Sequence, residues 1–336
     1  MGRCLNNQED CKMLKRFILS ATAMLLVVVF VVGCGGNGNS SGEPRTLGES
    51  EMVVVMPAAE QGWIAAVLFF AEMHGQELRN QGLGRFRVLT SQSVAEQAGQ
   101  LDELITQNVD VIVLFPHSNE LDFAAQRVID ANIPMFVFNR NVNVAFESRL
   151  LGSNDLIGRE SATKIAEGIG GSGTVAYIAV PAIGSTNVDR ITPFFEVMAG
   201  FPDIQLISMT TTAISIEEAL TVTTDMLTAN PHVDAIFSID DSLSIGALQA
   251  IRESGRTDIQ FISGAGGAQI YFQSIQEEQN INLFSATFSP TMIMDTMDLA
   301  MEYLNGRRDF PNITIIPPVI VNRDNVHEHI VPGSPW

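Results

Sequence analysis

The chain reads as an α/β protein of two lobes, each a mainly parallel sheet with helices on both faces. Three observations predict this. Apolar runs of strand length alternate with helix-patterned stretches from Glu51 to Val321. The first run, Met52–Met56 (MVVVM), is apolar at every position, as a strand covered on both faces requires. About ten strand–helix units follow one another, more than one sheet comfortably holds, so the units divide between two lobes.

In the first set, Met52–Met56 leads to a helix over Ile64–Asn80, a strand over Arg85–Thr90 and a helix over Val94–Asn108. That last helix opens on Ser93-Val94-Ala95-Glu96, a capping box whose serine and glutamate satisfy unpaired N–H groups of the first turn. Strand Val111–Phe115, helix Leu121–Ala131 and strand Pro134–Phe138 complete the set. The break is expected near Gly152–Asn154. Helix Leu156–Ile169, strand Thr174–Val180, helix Val188–Ala199 and strand Gln205–Thr211 open the second set. Ser215 and Glu218 then form a second capping box at the head of helix Ile216–Thr228. Strand Ala235–Ile239, helix Leu243–Glu253, strand Gln260–Ser263, helix Ala268–Glu277 and strand Asn282–Ala286 continue the alternation. Met292–Leu304 is the last helix, stopped at Gly306, and Ile313–Val321 is extended around Pro317-Pro318. In such folds ligands sit beyond the carboxyl ends of the strands. Here those ends include Pro57–Trp63, Asn139–Asn143, Val180–Arg190, Asp240–Ser242 and Gly264–Gly267.

Composition narrows the function. The 336 residues are 46% hydrophobic and 17% charged, which describes a globular chain. The formal net charge is −19, and the first 33 residues hold four basic side chains against two acidic ones, so the rest stands two units lower, at −21. That field repels nucleic acid, and no basic patch offsets it. Cys4, Cys11 and Cys34 are the only cysteines, which excludes disulfides, thiol nucleophiles and cysteine–zinc sites from the folded part. No glycine-rich phosphate loop stands at a strand–helix junction: Gly264-Ala265-Gly266-Gly267 lacks the spacing. Ser185 has no hydrolase elbow, His327-Glu328-His329 lies in a proline-flanked stretch read as a solvated tail, and His74, His117 and His232 are isolated. Catalysis, a cofactor and a metal are therefore not expected.

The segment Met13–Cys34 has a basic start, Lys15-Arg16, and an apolar run from Phe17 to Val32, too short and wrongly flanked for a membrane span. It reads as a secretory signal over residues 1–33. Its end, Val31-Val32-Gly33-Cys34, resembles a bacterial lipobox, which implies a diacylglyceryl group on Cys34, each buried methylene contributing about 0.8 kcal/mol. An uncleaved anchor helix is the alternative. Residues 34–50, with Gly35–Gly42 (GGNGNSSG), read as a flexible tether. The protein is expected outside the cytoplasm, membrane-anchored in the periplasm or at the cell surface.

The stretch Gln107–Arg140 (QNVDVIVLFPHSNELDFAAQRVIDANIPMFVFNR) resembles the central signature of type I periplasmic binding proteins of the ribose-binding kind. Leu151–Ala162, Ile183–Arg190, Met226–Ala250, Phe261–Gly267 and Ala286–Pro290 resemble later family segments in the same order. The resemblance implies two Rossmann-like lobes joined by a three-segment hinge and closing on a small solute, usually a sugar. It assigns 51–152 with 289–312 to the N-terminal lobe, 153–288 with 313–325 to the C-terminal lobe, and 326–336 to a tail. It also implies a monomer that delivers its solute to an ABC permease. A sensor that signals to a membrane kinase or chemoreceptor is the alternative.

Sugar recognition needs planar polar groups and aromatic walls. Arg140 and Arg190 offer forked donors from opposite lobes, and Asn139 and Asp240 can exchange hydrogen bonds with hydroxyls. Trp63 can stack on a ring, with Gln61 as its polar neighbour. Trp63 as a helix staple, the arginines as surface ion pairs and Asp240 or Asp241 as a helix cap are the plain structural alternatives. Three positions depart from the ribose-binding pattern. Gly266 stands where relatives carry aspartate, Phe288 where they carry glutamine, and Ile214 where they carry an aromatic. A deoxy sugar, a polyol or a modified ligand is expected in place of ribose.

Overall fold

Valine and methionine throughout Met52–Met56 leave this stretch no polar face, and Glu51–Pro57 becomes an interior strand, β1, of the first of two six-stranded sheets. A computed structural model describes residues 47–336. The leader 1–33, Cys34 and the tether to residue 46 lie outside the described residues. Leu47–Glu49 form a 3-10 turn, and the buried Ser50 accepts from Arg85 N through its carbonyl. The packed chain thus starts before the expected boundary at 50, because the backbone of Ser50 extends the β-ladder.

The first lobe alternates β1, α1 (Gly62–Asn80), β2 (Arg85–Ser91), α2 (Val94–Gln107), β3 (Val111–Leu114), α3 (Asp122–Asp130), β4 (Met135–Phe138) and β5 (Ser148–Gly152). The second continues with α4 (Asn154–Gly168), β6 (Ser172–Ala179), α5 (Ser185–Met198), β7 (Asp203–Thr210), α6 (Ile216–Ala229) and β8 (Ala235–Ser238). Then come α7 (Asp241–Ser254), β9 (Phe261–Gly266), α8 (Gln269–Glu277) and β10 (Asn282–Thr287). The chain returns to the first lobe in α9 (Met292–Leu304) and β11 (Ile313–Ile316), and to the second in β12 (Ile320–Val321). Strand order is β11-β5-β4-β3-β1-β2 in one sheet and β12-β10-β9-β8-β6-β7 in the other. Every neighbouring pair is parallel except β10–β12.

Both predicted capping serines accept as expected, Ser93 Oγ from Glu96 N and Ser215 Oγ from Glu218 N, each at 3.2 Å. The glutamates reach further back than a strict box: Glu96 accepts from Gln92 N, one residue before its N-cap, and Glu218 from Thr212 N, three residues before its own, both at 2.6 Å. Met292, Ile293, Met297, Ala300 and Met301 of α9 join the core formed by Met52, Val54, Phe70 and Phe136, which fixes this late helix in the first lobe.

Three sequence expectations shift. Ser148–Gly152, given no element in the sequence reading and ending at the expected break, is a full strand between β4 and β11; Arg149 and the terminal glycine hide its apolar pattern. Residues 313–316, assigned to the C-terminal lobe, pair with 149–152 in the first sheet, and only Ile320–Val321 joins the second. The third crossing therefore falls at 317–319, where two prolines lack the N–H that would continue either ladder. The tail is not solvated throughout: Val326 enters the second-lobe core, Val331 packs on the first-lobe cluster, and Trp336 packs on the clusters of both lobes.

The three crossings touch one another. Thr287 N donates to Val319 O (3.0 Å) and Val319 N to Thr287 Oγ1 (2.9 Å). A Cβ at Gly152 would lie 2.6 Å from Phe288 Cε2, so only glycine lets the first crossing meet the second this closely. Gly152→Ala is expected to lower unfolding stability by about 1–3 kcal/mol in urea denaturation through overpacking. An unchanged midpoint would contradict the contact.

Candidate functional site

The carboxyl ends of both sheets face a cavity of about 840 Å³ between the lobes, within the ~300–1,000 Å³ typical of small-molecule sites. Gln61, Trp63, Asn139 and Arg140 line it from the first lobe, Arg190, Asp240 and Gly266 from the second, and Phe288 from the second crossing. All eight residues singled out in the sequence thus meet at one place. Ile214, partly exposed, lines the same space.

On the second-lobe side, the chain places two consecutive aspartates at the head of α7, and the fold gives them different work. Asp240 is the N-cap and accepts from Ser242 N (2.8 Å). Asp241 turns inward and accepts from Gly267 N (2.6 Å), Ala268 N (2.7 Å) and Ser285 Oγ (2.7 Å). A side chain at Gly264 would collide with it, its Cβ falling 2.1 Å from Asp241 Oδ1. The glycine-rich 264–267 segment is therefore shaped around a buried carboxylate. Arg190, also buried, donates through Nε to Asn154 Oδ1 (2.9 Å) and through Nη1 to Ile239 O (2.6 Å). Burial pushes the Asp240 carboxyl up to about 7; the neighbouring Asp241 charge adds to this, while the Ser242 hydrogen bond and Arg190 oppose it. Burial also raises Asp241, against the pull of its three donors and of Arg190. Both aspartates share this one guanidinium.

On the first-lobe side, Arg140 is exposed to the cleft, with Nη1 donating to His117 O (2.7 Å) and its guanidinium 5.3 Å from the Phe115 ring centroid. Asn139 adopts φ of 59°, which asparagine tolerates better than most residues, and this turns the chain out of β4 toward the cavity. Trp63 is the hub of an aromatic cluster, stacked on Phe138 (5.9 Å, 10°), edge-on to Phe115 and tilted against Phe288. Its Nε1 donates to Phe288 O at 2.6 Å, so it can offer the cavity a ring but no free donor. Phe288 is itself nearly buried, packed against Gly152, Trp63 and Arg190, and acts first as hinge packing.

Several lining residues were not singled out in the sequence, although the first three fall within the Val180–Arg190 strand end named there. Ser185, Thr186 and Asp189 come from the first turns of α5, whose N-cap Gly184 supplies no side chain. Pro335 and Trp336 arrive from the far end of the tail. The tail's apolar residues Val326, Ile330 and Val331 were the one available signal that it packs. Among the described residues, no three His, Cys, Asp or Glu side chains gather to hold a metal.

Two parallel α/β lobes, three crossings and a polar cavity between them define a two-lobed binding protein. Residues 52–308 match the model of the periplasmic binding protein domain, and the chain belongs to that family, in its ribose-binding-like type I branch. A xylitol-binding protein of Mycolicibacterium smegmatis is 29% identical over 176 residues, half of this chain and 49% of its own length. A D-apiose import binding protein of Actinobacillus succinogenes is 25% identical over 238 residues, 66% of this chain and 76% of its own. A periplasmic ribose ABC transporter protein of Conexibacter woesei superposes with a TM-score of 0.72 at 18% identity, over 84% of this chain and 95% of that one.

Two outcomes follow from the paired aspartates. Asp241→Ala is expected to cost about 3 kcal/mol or more in urea unfolding, since it strands three buried donors. Asp240 has a folded pKa near 7 against an ordinary 3.8. The native state therefore holds its proton more tightly, and this stabilisation is full below about pH 4 and lost as pH rises through 7. Asp240→Asn should flatten the stability–pH curve over that window by roughly 2–4 kcal/mol; parallel curves would contradict the assignment.

Proposed function

We propose that the chain is an extracytoplasmic lipoprotein that captures a small sugar or sugar-like polyol by hinge closure and delivers it to an ABC importer. The observation that carries this reading is the convergence of Arg140 and Asn139 from one lobe with Arg190 and Asp240 from the other on a single interlobe cavity. A solute bridging the two sets would bind the closed arrangement more tightly than the open one, and that difference alone drives closure. The cavity mixes guanidinium and carboxyl groups, suited to hydroxyls, with the Trp63 ring, suited to a carbon skeleton. The relatives named for xylitol, apiose and ribose all take polyhydroxylated five-carbon solutes. Glycine at 266 and phenylalanine at 288 remove two polar contacts expected for ribose, which favours a polyol such as xylitol. The role is binding, without catalysis. The acidic charge and the lipid on Cys34 belong to the same reading: a tethered, monomeric carrier at the membrane surface, working with a permease.

Thermal shift of the full chain in detergent, against xylitol, allitol, D-apiose, D-ribose and myo-inositol, tests capture. A micromolar solute at millimolar concentration should add roughly 4 kcal/mol of stability, and silence across the panel would contradict the sugar–polyol reading. Arg140→Ala should weaken the best solute at least tenfold while leaving the unliganded melting temperature nearly unchanged, as befits an exposed side chain contributing charge-assisted bonds of ~1.5–3 kcal/mol. Cys34→Ser should release the protein from membranes or leave it uncleaved. Unaltered membrane retention at the mature size would remove the lipid anchor.

A further inference from the structure

The chain holds two tryptophans, and the fold brings both to the same cavity from opposite ends of the sequence. Trp63 has spent its indole N–H on Phe288 O. Trp336 has not: its Nε1 is buried and meets no acceptor. An unmet buried donor is unfavourable, and folded proteins rarely keep one without a purpose.

The route of the tail explains how Trp336 reaches the site. Gln269, the first residue of α8, clamps the tail by donating from Nε2 to His329 O (3.1 Å) and accepting from Val331 N at Oε1 (2.7 Å). The neighbouring residues Gly267 and Ala268 are those held by Asp241. The tail is therefore fixed to the second lobe at the same point as the site. A turn follows, with Ser334 N donating to Val331 O (3.2 Å) and Ser334 Oγ to Trp336 O (2.9 Å). It sets the indole against Gly266, where a Cβ would sit 3.2 Å from Cζ2 of the ring. Gly266 has φ of +131°, a conformation that itself favours glycine. The space that a side chain at 266 would fill is taken by Trp336.

We propose that Trp336 is a solute-contacting and specificity-determining residue, the second lobe's counterpart to Trp63. Its ring supplies the wall that Gly266 does not. With a small rotation on closure, its N–H donates to a solute hydroxyl. An indole donor beside an apolar ring face selects a polyol hydroxyl with adjoining C–H groups, where a carboxylate at 266 would accept two hydroxyls and offer no apolar surface. This inference rests on the solute-capture reading above.

The test is titration of the full chain in detergent with xylitol and D-ribose, followed by intrinsic fluorescence and calorimetry, in wild type, Trp336→Ala, Trp336→Phe and Trp63→Phe. Trp336→Ala should weaken xylitol at least tenfold. Trp336→Phe, which keeps a ring but loses the donor, should fall between it and wild type. In Trp63→Phe, Trp336 is the sole tryptophan, and xylitol should change its emission under excitation selective for indole. Binding within twofold of wild type in Trp336→Ala, or tighter binding as expected of a plug, overturns the proposal while leaving solute capture intact. If Trp336→Ala does not fold, wild-type affinity in Trp336→Phe together with unmoved Trp336 emission overturns it equally. If wild type binds neither probe nor any other polyol or sugar of the panel, this proposal and the capture reading fall together.

Discussion

The peptide of Phe288 makes one hydrogen bond to each lobe: its N–H donates to Gly266 O at 2.9 Å and its carbonyl accepts from Trp63 Nε1 at 2.6 Å. Its ring meanwhile lies against Gly152 of another crossing and beneath the Arg190 guanidinium. Much of the site's geometry depends on this junction. It fixes the Trp63 ring in the cavity wall and leaves Gly266 open for Trp336. It also couples Arg190 to the crossings, so on the proposed capture reading a solute pulling on that guanidinium would pull on a segment that joins the lobes. Such a pivot has few ways to yield other than rotation, because the packed rings around it do not compress.

The polar half of the site follows a related logic of economy. Two buried aspartates and one buried arginine would leave an excess negative charge in a low-dielectric interior, an arrangement that normally costs several kcal/mol. The chain lowers that cost by separating the roles. Asp241 has three hydrogen-bond donors and stays structural, while Asp240 caps α7 and borders the cavity, with a carboxyl poised near neutrality. A carboxyl in that range can either accept from or donate to a hydroxyl, which suits a neutral solute whose hydroxyls do both. An anionic solute would add to the local negative charge and to that of the whole chain.

How far the sequence discloses this differs by level. The α/β alternation, both capping serines and the strand ends that build the cavity are local features, written in apolar runs and cap residues, and each is legible in the chain. What escapes is set by long-range pairing. Nothing local marks Ile313–Ile316 as an edge strand of the first sheet, because its partner lies some 160 residues away and its exposed isoleucines mimic a loop. Phe288 and Trp63 were legible as aromatics at the site, but their mutual hydrogen bond, which turns both toward hinge packing, was not. Trp336 was hidden altogether, since a proline-flanked tail with His327-Glu328-His329 looks solvent-borne until Gln269 is seen to clamp it.

The central claim is that the two halves of the cavity close on one solute. The folded part has no native cysteine, so Asn141→Cys and Ala213→Cys can carry a pair of spin labels, one on each lobe where the chain leaves β4 and β7. The distance between them, measured by pulsed electron resonance with and without saturating xylitol, reads closure directly. The account requires the distribution to narrow and shift several ångströms shorter on binding. A distribution that stays unchanged while calorimetry shows the polyol bound would mean that the solute is held without closure, and the hinge mechanism would fail.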